Sequence, residues 1–256
     1  MVSMVQRGAQ ASFEGGDLLA WAGPWLFAAI VAVAVLRALA RGRSYRAAAQ
    51  LSPEDREAVR EALRAVERRT VGEVVAMVVD RSDVHDSAGW RGAVLAALLG
   101  SILLAPHLPW HEPMWVLFVQ VAIGAAGLFT CRALPDLERR FVLETTATAA
   151  AEEQALQEFF RLHLHETSGR TGVLLFVSLF ERRVVVLGDV GIDALVRDKG
   201  AWSAARDAVL AGIRAGRLRE GLIAGIAAAG DVLAEHFPWR EGDKNELRDL
   251  LIVDPG

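Results

Sequence analysis

The sequence contains one cysteine, Cys131. That excludes an internal disulfide and fits a reducing compartment. It also excludes a Cys-x5-Arg phosphatase loop, because Cys131 lies in an apolar run and reads as ordinary helix packing. No glycine-rich P-loop is present, and no internal repeat or low-complexity segment stands out. A large charge of one sign is missing as well. The formal net charge is −4 over 256 residues, with no basic stripe, so nucleic acid is not an expected partner. What the chain has in excess is apolar residues, 53% of the total, with a mean hydropathy of +0.28.

That excess is concentrated in three uncharged runs, Leu18 to Leu36, Gly92 to Leu108 and Met114 to Cys131. Each approaches the ~17–25 residues a helix needs to cross a bilayer. Trp21, Trp25, Trp90, Trp110 and Trp115 flank the runs, where indole rings favour the interface. The runs have no polar face, which argues against buried core helices. The first is expected to be a retained anchor and not a signal peptide, because Arg37, Arg41, Arg43 and Arg46 follow it. Arginine placement also sets orientation. Arg91 precedes the second run, Arg132, Arg139 and Arg140 follow the third, and the connection 109–113 carries no basic residue. The positive-inside rule then puts the N-terminus and this connection outside and the rest in the cytoplasm. No ionisable residue inside the runs marks a transport pathway.

The remaining chain reads as one α/β domain interrupted by the hairpin. Ser52-Pro53-Glu54-Asp55 has the chemistry of a helix start, and Val59, Leu63 and Val66 continue at helical spacing. Val74 to Val79 is a short apolar run expected to be a buried strand. One long helix is predicted from about Pro135 through His163. Strands follow at Val173–Ser178 and Val184–Leu187 around a turn at Phe180-Glu181-Arg182, then helices at about 202–215 and 220–236. Trp202 is expected to pack the first of these onto the sheet. The tail Asp243 to Leu247 is polar and expected to cross the surface. The first two strands should be parallel, the second and third antiparallel. The fold class is therefore α/β, a small mixed sheet covered by helices, plus three transmembrane helices. The divisions are 1–50 with the first span at about 18–39, 51–90, a hairpin 91–134 with spans at about 92–108 and 113–133, and 135–256.

Glu67 to Val74, His165 to Thr167, Arg170 to Ser178, Glu181 to Val184, Asp189, Gly191-Ile192, Trp202, Gly221-Leu222, Phe237-Pro238 and Asn245 to Leu247 together resemble the TPM domain family. The likeness is greatest to a bacterial membrane group with a helical hairpin after the first strand. It implies an α/β/α fold. Relatives have been proposed as acid phosphatases, as binders of divalent metal or as accessory subunits of membrane complexes.

With the turn centred near Glu181, Gly172 should lie opposite Asp189, and Glu73 should lie at the same sheet edge. Glu73, Arg170, Thr171, Asp189 and Asp193 would then converge on one end, facing the cytoplasm. Asp80, Ser178, Glu181 and Arg182 would occupy the membrane-proximal end. Carboxylates of Glu73, Asp189 and Asp193 suit Ca²⁺ or Mg²⁺, with Arg170 as an anion contact. The alternative is structural: Asp189 caps a turn and Arg170 pairs with it at the surface. No nucleophile presents itself beside them, so no catalytic residue is assigned. His163 and His165 are expected to face different ways on a helix, and Glu181-Arg182-Arg183 to form a solvated turn, the alternative being contact with lipid headgroups or a partner. These features point to a multi-pass membrane protein that presents a cytoplasmic TPM-type module for binding or accessory duty. Its expected partners are the lipid bilayer and another membrane protein or complex. A metal-dependent phosphatase is the alternative.

Overall fold

A computed structural model describes residues 45–104, 113–196, 200–241 and 251–254. The chain divides into units 1–40 and 41–256, and the first apolar run lies outside the described residues. So do the 109–112 part of the connection and the polar tail around 243–247.

The second unit is built on a four-stranded sheet in the order β3-β2-β1-β4. Strand β1, Glu73–Val79, pairs in parallel with β2, Gly172–Ser178, which pairs antiparallel with β3, Arg183–Gly188. Every residue of β1 and β2 is buried, which explains their unbroken apolar sequences. A fourth strand, β4 (Leu251–Asp254), adds to β1 in parallel, with Ala76 opposite Leu251. The sequence had not suggested it.

Helices cover both faces. The short α1, Ala47–Gln50, leads into α2, Pro53–Glu67. A capping box starts α2: Ser52 Oγ accepts from Asp55 N–H while the Asp55 carboxylate accepts from Ser52 N–H. Downstream lie α8 (Ser203–Arg214) and α9 (Leu218–His236). Val59, Leu63, Val209, Leu222 and Ile226 pack on the sheet face that carries Val74, Ala76 and Val78, and Trp202 is partly buried against this core. The opposite face, with Val75, Met77 and Phe176, is covered by Ala151, Ala155 and Phe159.

Those last residues belong to α6, Glu144–Arg161. The single helix expected from 135 to 163 is in fact two. A short α5, Pro135–Phe141, ends where Val142 and Leu143 turn extended, and α6 starts afresh. The break lets α6 lie along the sheet while α5 packs against the hairpin.

The hairpin comprises α3, Asp86–Leu104, and α4, Pro113–Ala133. Among the described residues α4 is the one helix long and apolar enough to cross a membrane. The two helices approach through small residues. Gly92, Ala96 and Gly100 recur every fourth position on α3, and side-chain atoms at Gly92, Gly100 or Gly127 would overlap Cys131, Ile123 or Ala96. Close backbone contact of this kind is how helices associate in lipid, where burial of apolar surface gives no drive. Cys131 is buried in this contact, as ordinary helix packing. The outward faces are bare: Ile102, Leu103, Met114 and Phe129 are each at least 70% exposed.

A short α7, Val190–Leu195, follows β3. A 3-10 turn, Leu164–Glu166, precedes β2.

Candidate functional site

The two ends of the sheet carry its buried polar groups. At the end away from the hairpin, Glu73 pairs with Gly172 in register, and Asp189 N–H donates to the Gly172 carbonyl at 2.9 Å. Glu73, Gly172 and Asp189 therefore form a row across three chain segments. Side-chain alternation puts this row on the α6 face, with Val75 and Leu174. At a strand spacing of about 4.8 Å, the two acidic Cα atoms lie roughly 10 Å apart. Between them Gly172 has no side chain, and the Leu164 carbonyl oxygen fills the space, so a Cβ there would overlap it. The row presents two carboxylates flanking one carbonyl oxygen.

Both acids are buried, Glu73 at 6% and Asp189 at 5% exposure. Asp189 Oδ1 accepts from Val190 N–H at 2.8 Å and caps α7. Its Oδ2 is buried and accepts no hydrogen bond among the described residues. The nearest cation is the exposed guanidinium of Arg170, with Nη1 at 3.9 Å, too far for a hydrogen bond. Arg170 has a left-handed backbone, φ 52°. Its N–H donates to Thr167 O, and the next N–H, that of Thr171, donates to Thr167 Oγ1. This tight loop lies against Gly191, where a Cβ would collide with the carbonyls of Gly169 and Arg170. Thr171 Oγ1 donates to Val71 O at 3.2 Å. Asp193 is on α7, and its side chain lies outside the described residues.

His163 and His165 do not diverge as a helix would require. Helix α6 ends at Arg161, and His163 adopts φ 56°. The two rings stack 6.2 Å apart, and both approach Glu166. The hydrogen bond with His163 holds the Glu166 carboxyl below its usual value. Among the described residues, no group of three His, Cys, Asp or Glu side chains is arranged to hold a metal ion.

The hairpin-side end corrects one expectation. Glu181 is not solvated but buried, at 3% exposure. Its carboxylate accepts from Ser178 Oγ and from Ser82 N–H and meets His85 Nε2 at 2.6 Å. His85 stacks on Phe180, and Arg81 lies 4.3 Å over the same ring. A hydrolytic triad has the histidine between hydroxyl and acid. Here the carboxylate is in the middle and all three side chains are sealed from solvent, so the group acts as a clasp between the β2–β3 turn and the loop entering α3. Sequence reading missed it because His85 and Glu181 are 96 positions apart and neither has a local motif.

Residues 137–232 match the family model of the TPM domain. Among solved structures, the NMR structure of BA42 protein from the psychrophilic bacterium Bizionia argentinensis is similar in fold. It has a TM-score of 0.50 and 21% identity, covering 80% of this chain and 94% of that one. No curated protein matches the chain. The family match begins within α5, so β1 and Glu73 precede it across the hairpin, and β2, β3 and Asp189 lie inside it. Residues 137–232 therefore carry the match to a TPM domain, and the likeness to BA42 protein is one of fold.

Proposed function

We propose that this chain is a multi-pass membrane protein whose three apolar runs cross the bilayer and whose TPM domain faces the cytoplasm. It would serve as a binding or accessory module that takes a divalent cation at the Glu73/Asp189 edge. The observation that carries the membrane reading is the uncovered apolar surface of α3 and α4, which ends in Ile102, Leu103, Met114 and Phe118. Exposed in water, so large a patch would drive aggregation; hydrocarbon removes the problem. Arginines at 37–46, 91, 132, 139 and 140 support the cytoplasmic orientation.

The cation reading rests on donor chemistry. Two carboxylates and the Leu164 carbonyl oxygen in one row are hard ligands suited to Ca²⁺ or Mg²⁺. A buried Asp189 Oδ2 with only a loose cation nearby is an acceptor still to be satisfied. Asp193 is the further candidate ligand and Arg170 the candidate contact for a bound anion. A metal-dependent phosphatase would need a side-chain nucleophile or a two-metal cluster that activates water at this edge. Thr171, the hydroxyl there, is turned to Val71 O, so the module reading is preferred.

Two measurements test this. Alkaline carbonate should leave the full chain in the membrane fraction, with a reporter after Gly256 active only as a cytoplasmic fusion; an extracytoplasmic reporter overturns the orientation. Ca²⁺ or Mg²⁺ should raise the melting temperature of the detergent-purified protein. Asp189→Asn should lose that rise yet melt like wild type without metal, because asparagine also caps a helix. An unchanged rise in the variant rules the edge out as the ligand.

A further inference from the structure

A cleft of about 740 Å³ is at the other end of the sheet. Its walls are α5, the start of α6 and the β2–β3 turn. Four arginines line it: Arg139 and Arg140 from α5, Arg182 and Arg183 from the turn. The acids in its lining are mostly engaged elsewhere. Glu181 is turned inward to His85 and Ser178, and Asp136 accepts from Tyr45 Oη at 2.5 Å. Glu144 is exposed at the start of α6. Arg183 Nε donates to Thr148 Oγ1. Arg140 and Arg182 make no ion pair among the described residues. Burial, with the like charge of Arg182 beside it, holds Arg139 below the usual arginine value, although a guanidinium remains charged at neutral pH. The cleft thus holds cations in excess of their counter-charges.

Arg182 adds a second observation. Its φ is 51°, a left-handed conformation that disfavours any side chain with a Cβ. Glycine would suit the fold better. An arginine kept in a strained turn and aimed at a cleft suggests a role beyond packing.

Position identifies the ligand. Helix α5 begins two residues after α4 ends and packs against both hairpin helices. Seven helical residues rise about 10 Å, enough to cross the roughly 5–7 Å headgroup layer on one side of a bilayer. Resting on the membrane reading above, we infer that this cleft binds the phosphate of an anionic phospholipid from the leaflet on the domain's side. Forked guanidinium donors match phosphate oxygens, and the partly exposed Val142 gives the glycerol region an apolar contact.

The test uses the full chain in neutral detergent, titrated with phosphatidylglycerol, phosphatidylcholine or inorganic phosphate and read by thermal melting. Phosphatidylglycerol should raise the melting temperature saturably, and phosphatidylcholine should not. Arg182→Gly should weaken the response roughly fivefold, and Arg139→Gln with Arg182→Gly more than tenfold. Arg182→Gly relieves the left-handed strain, so its lipid-free melting temperature should equal or exceed that of wild type, which separates binding from folding. Undiminished phosphatidylglycerol binding by the double variant overturns the inference. So does a response to inorganic phosphate alone, which would assign the cleft to a soluble phosphate. Both variants should stay in the membrane after carbonate extraction. Loss of wild-type protein from that fraction would instead refute the membrane reading itself.

Discussion

The two ends of the β-sheet bury carboxylates in opposite ways. At the hairpin side, Glu181 is enclosed with a hydroxyl, a backbone N–H and an imidazole around it. At the far side, Glu73 and Asp189 flank a glycine, and Asp189 keeps an oxygen with no hydrogen bond among the described residues. A buried charge surrounded by its own partners is a fixture of the fold. One that lacks a donor has capacity left for something brought from outside. Burial alone does not distinguish the two, since Glu181 and Asp189 are almost equally hidden; the donors around them do.

The contrast can be broken most forcefully at Glu181. Glu181→Ala leaves His85 and Ser178 enclosed without their acceptor and should destabilise the protein by about 3 kcal/mol or more, read as a large fall in melting temperature with or without metal. A drop no larger than that of Asp189→Asn would erase the distinction between the ends. Gly172→Ala should come next. Its Cβ must displace the Leu164 carbonyl, which should cost about 1–3 kcal/mol and abolish the Ca²⁺-dependent rise. A variant that is merely less stable but keeps the rise would remove Leu164 from the ligand set.

The smallest expected effect is at Asp80, on the hairpin side. Burial lifts its carboxyl above the ordinary 3.8, opposed by the hydrogen bond from Ala47 N–H. A raised carboxyl weakens the fold when ionised, and that penalty disappears as pH falls through the raised value towards 3.8. Asp80→Asn should therefore melt slightly higher than wild type at pH 7, with the gap closing on acidification. A gap that widens at low pH would mean the ionised form is the stabilising one.

Much of the far end was legible in the sequence. A hairpin turn near Glu181 fixes the register, because antiparallel partners keep a constant sum of residue numbers. Gly172 opposite Asp189 follows from that and is observed. The parallel β1–β2 pair followed from the long helical connection. The hairpin-side clasp was illegible because Glu181-Arg182-Arg183 looks like any solvated turn until His85 closes over it. The break at Val142-Leu143 carried no glycine or proline, so helical periodicity ran through it. Strand β4 is four residues after a polar stretch, too short to stand out, and only its neighbour β1 makes it a strand.

The sheet order has a consequence for synthesis. Strand β1 is central, yet neither neighbour follows it directly: Glu73 must wait for Gly172, and Ala76 for Leu251. A ribosome making this chain releases β1, then the two apolar helices that the proposed membrane reading sends into the bilayer, and only later both partners. Throughout that interval Val74 to Val79 is an apolar strand with two open edges, the kind of segment that recruits the wrong partner. Slow translation or delayed insertion of the hairpin should therefore lower the yield of folded protein more than it would for a domain whose strands emerge in pairing order.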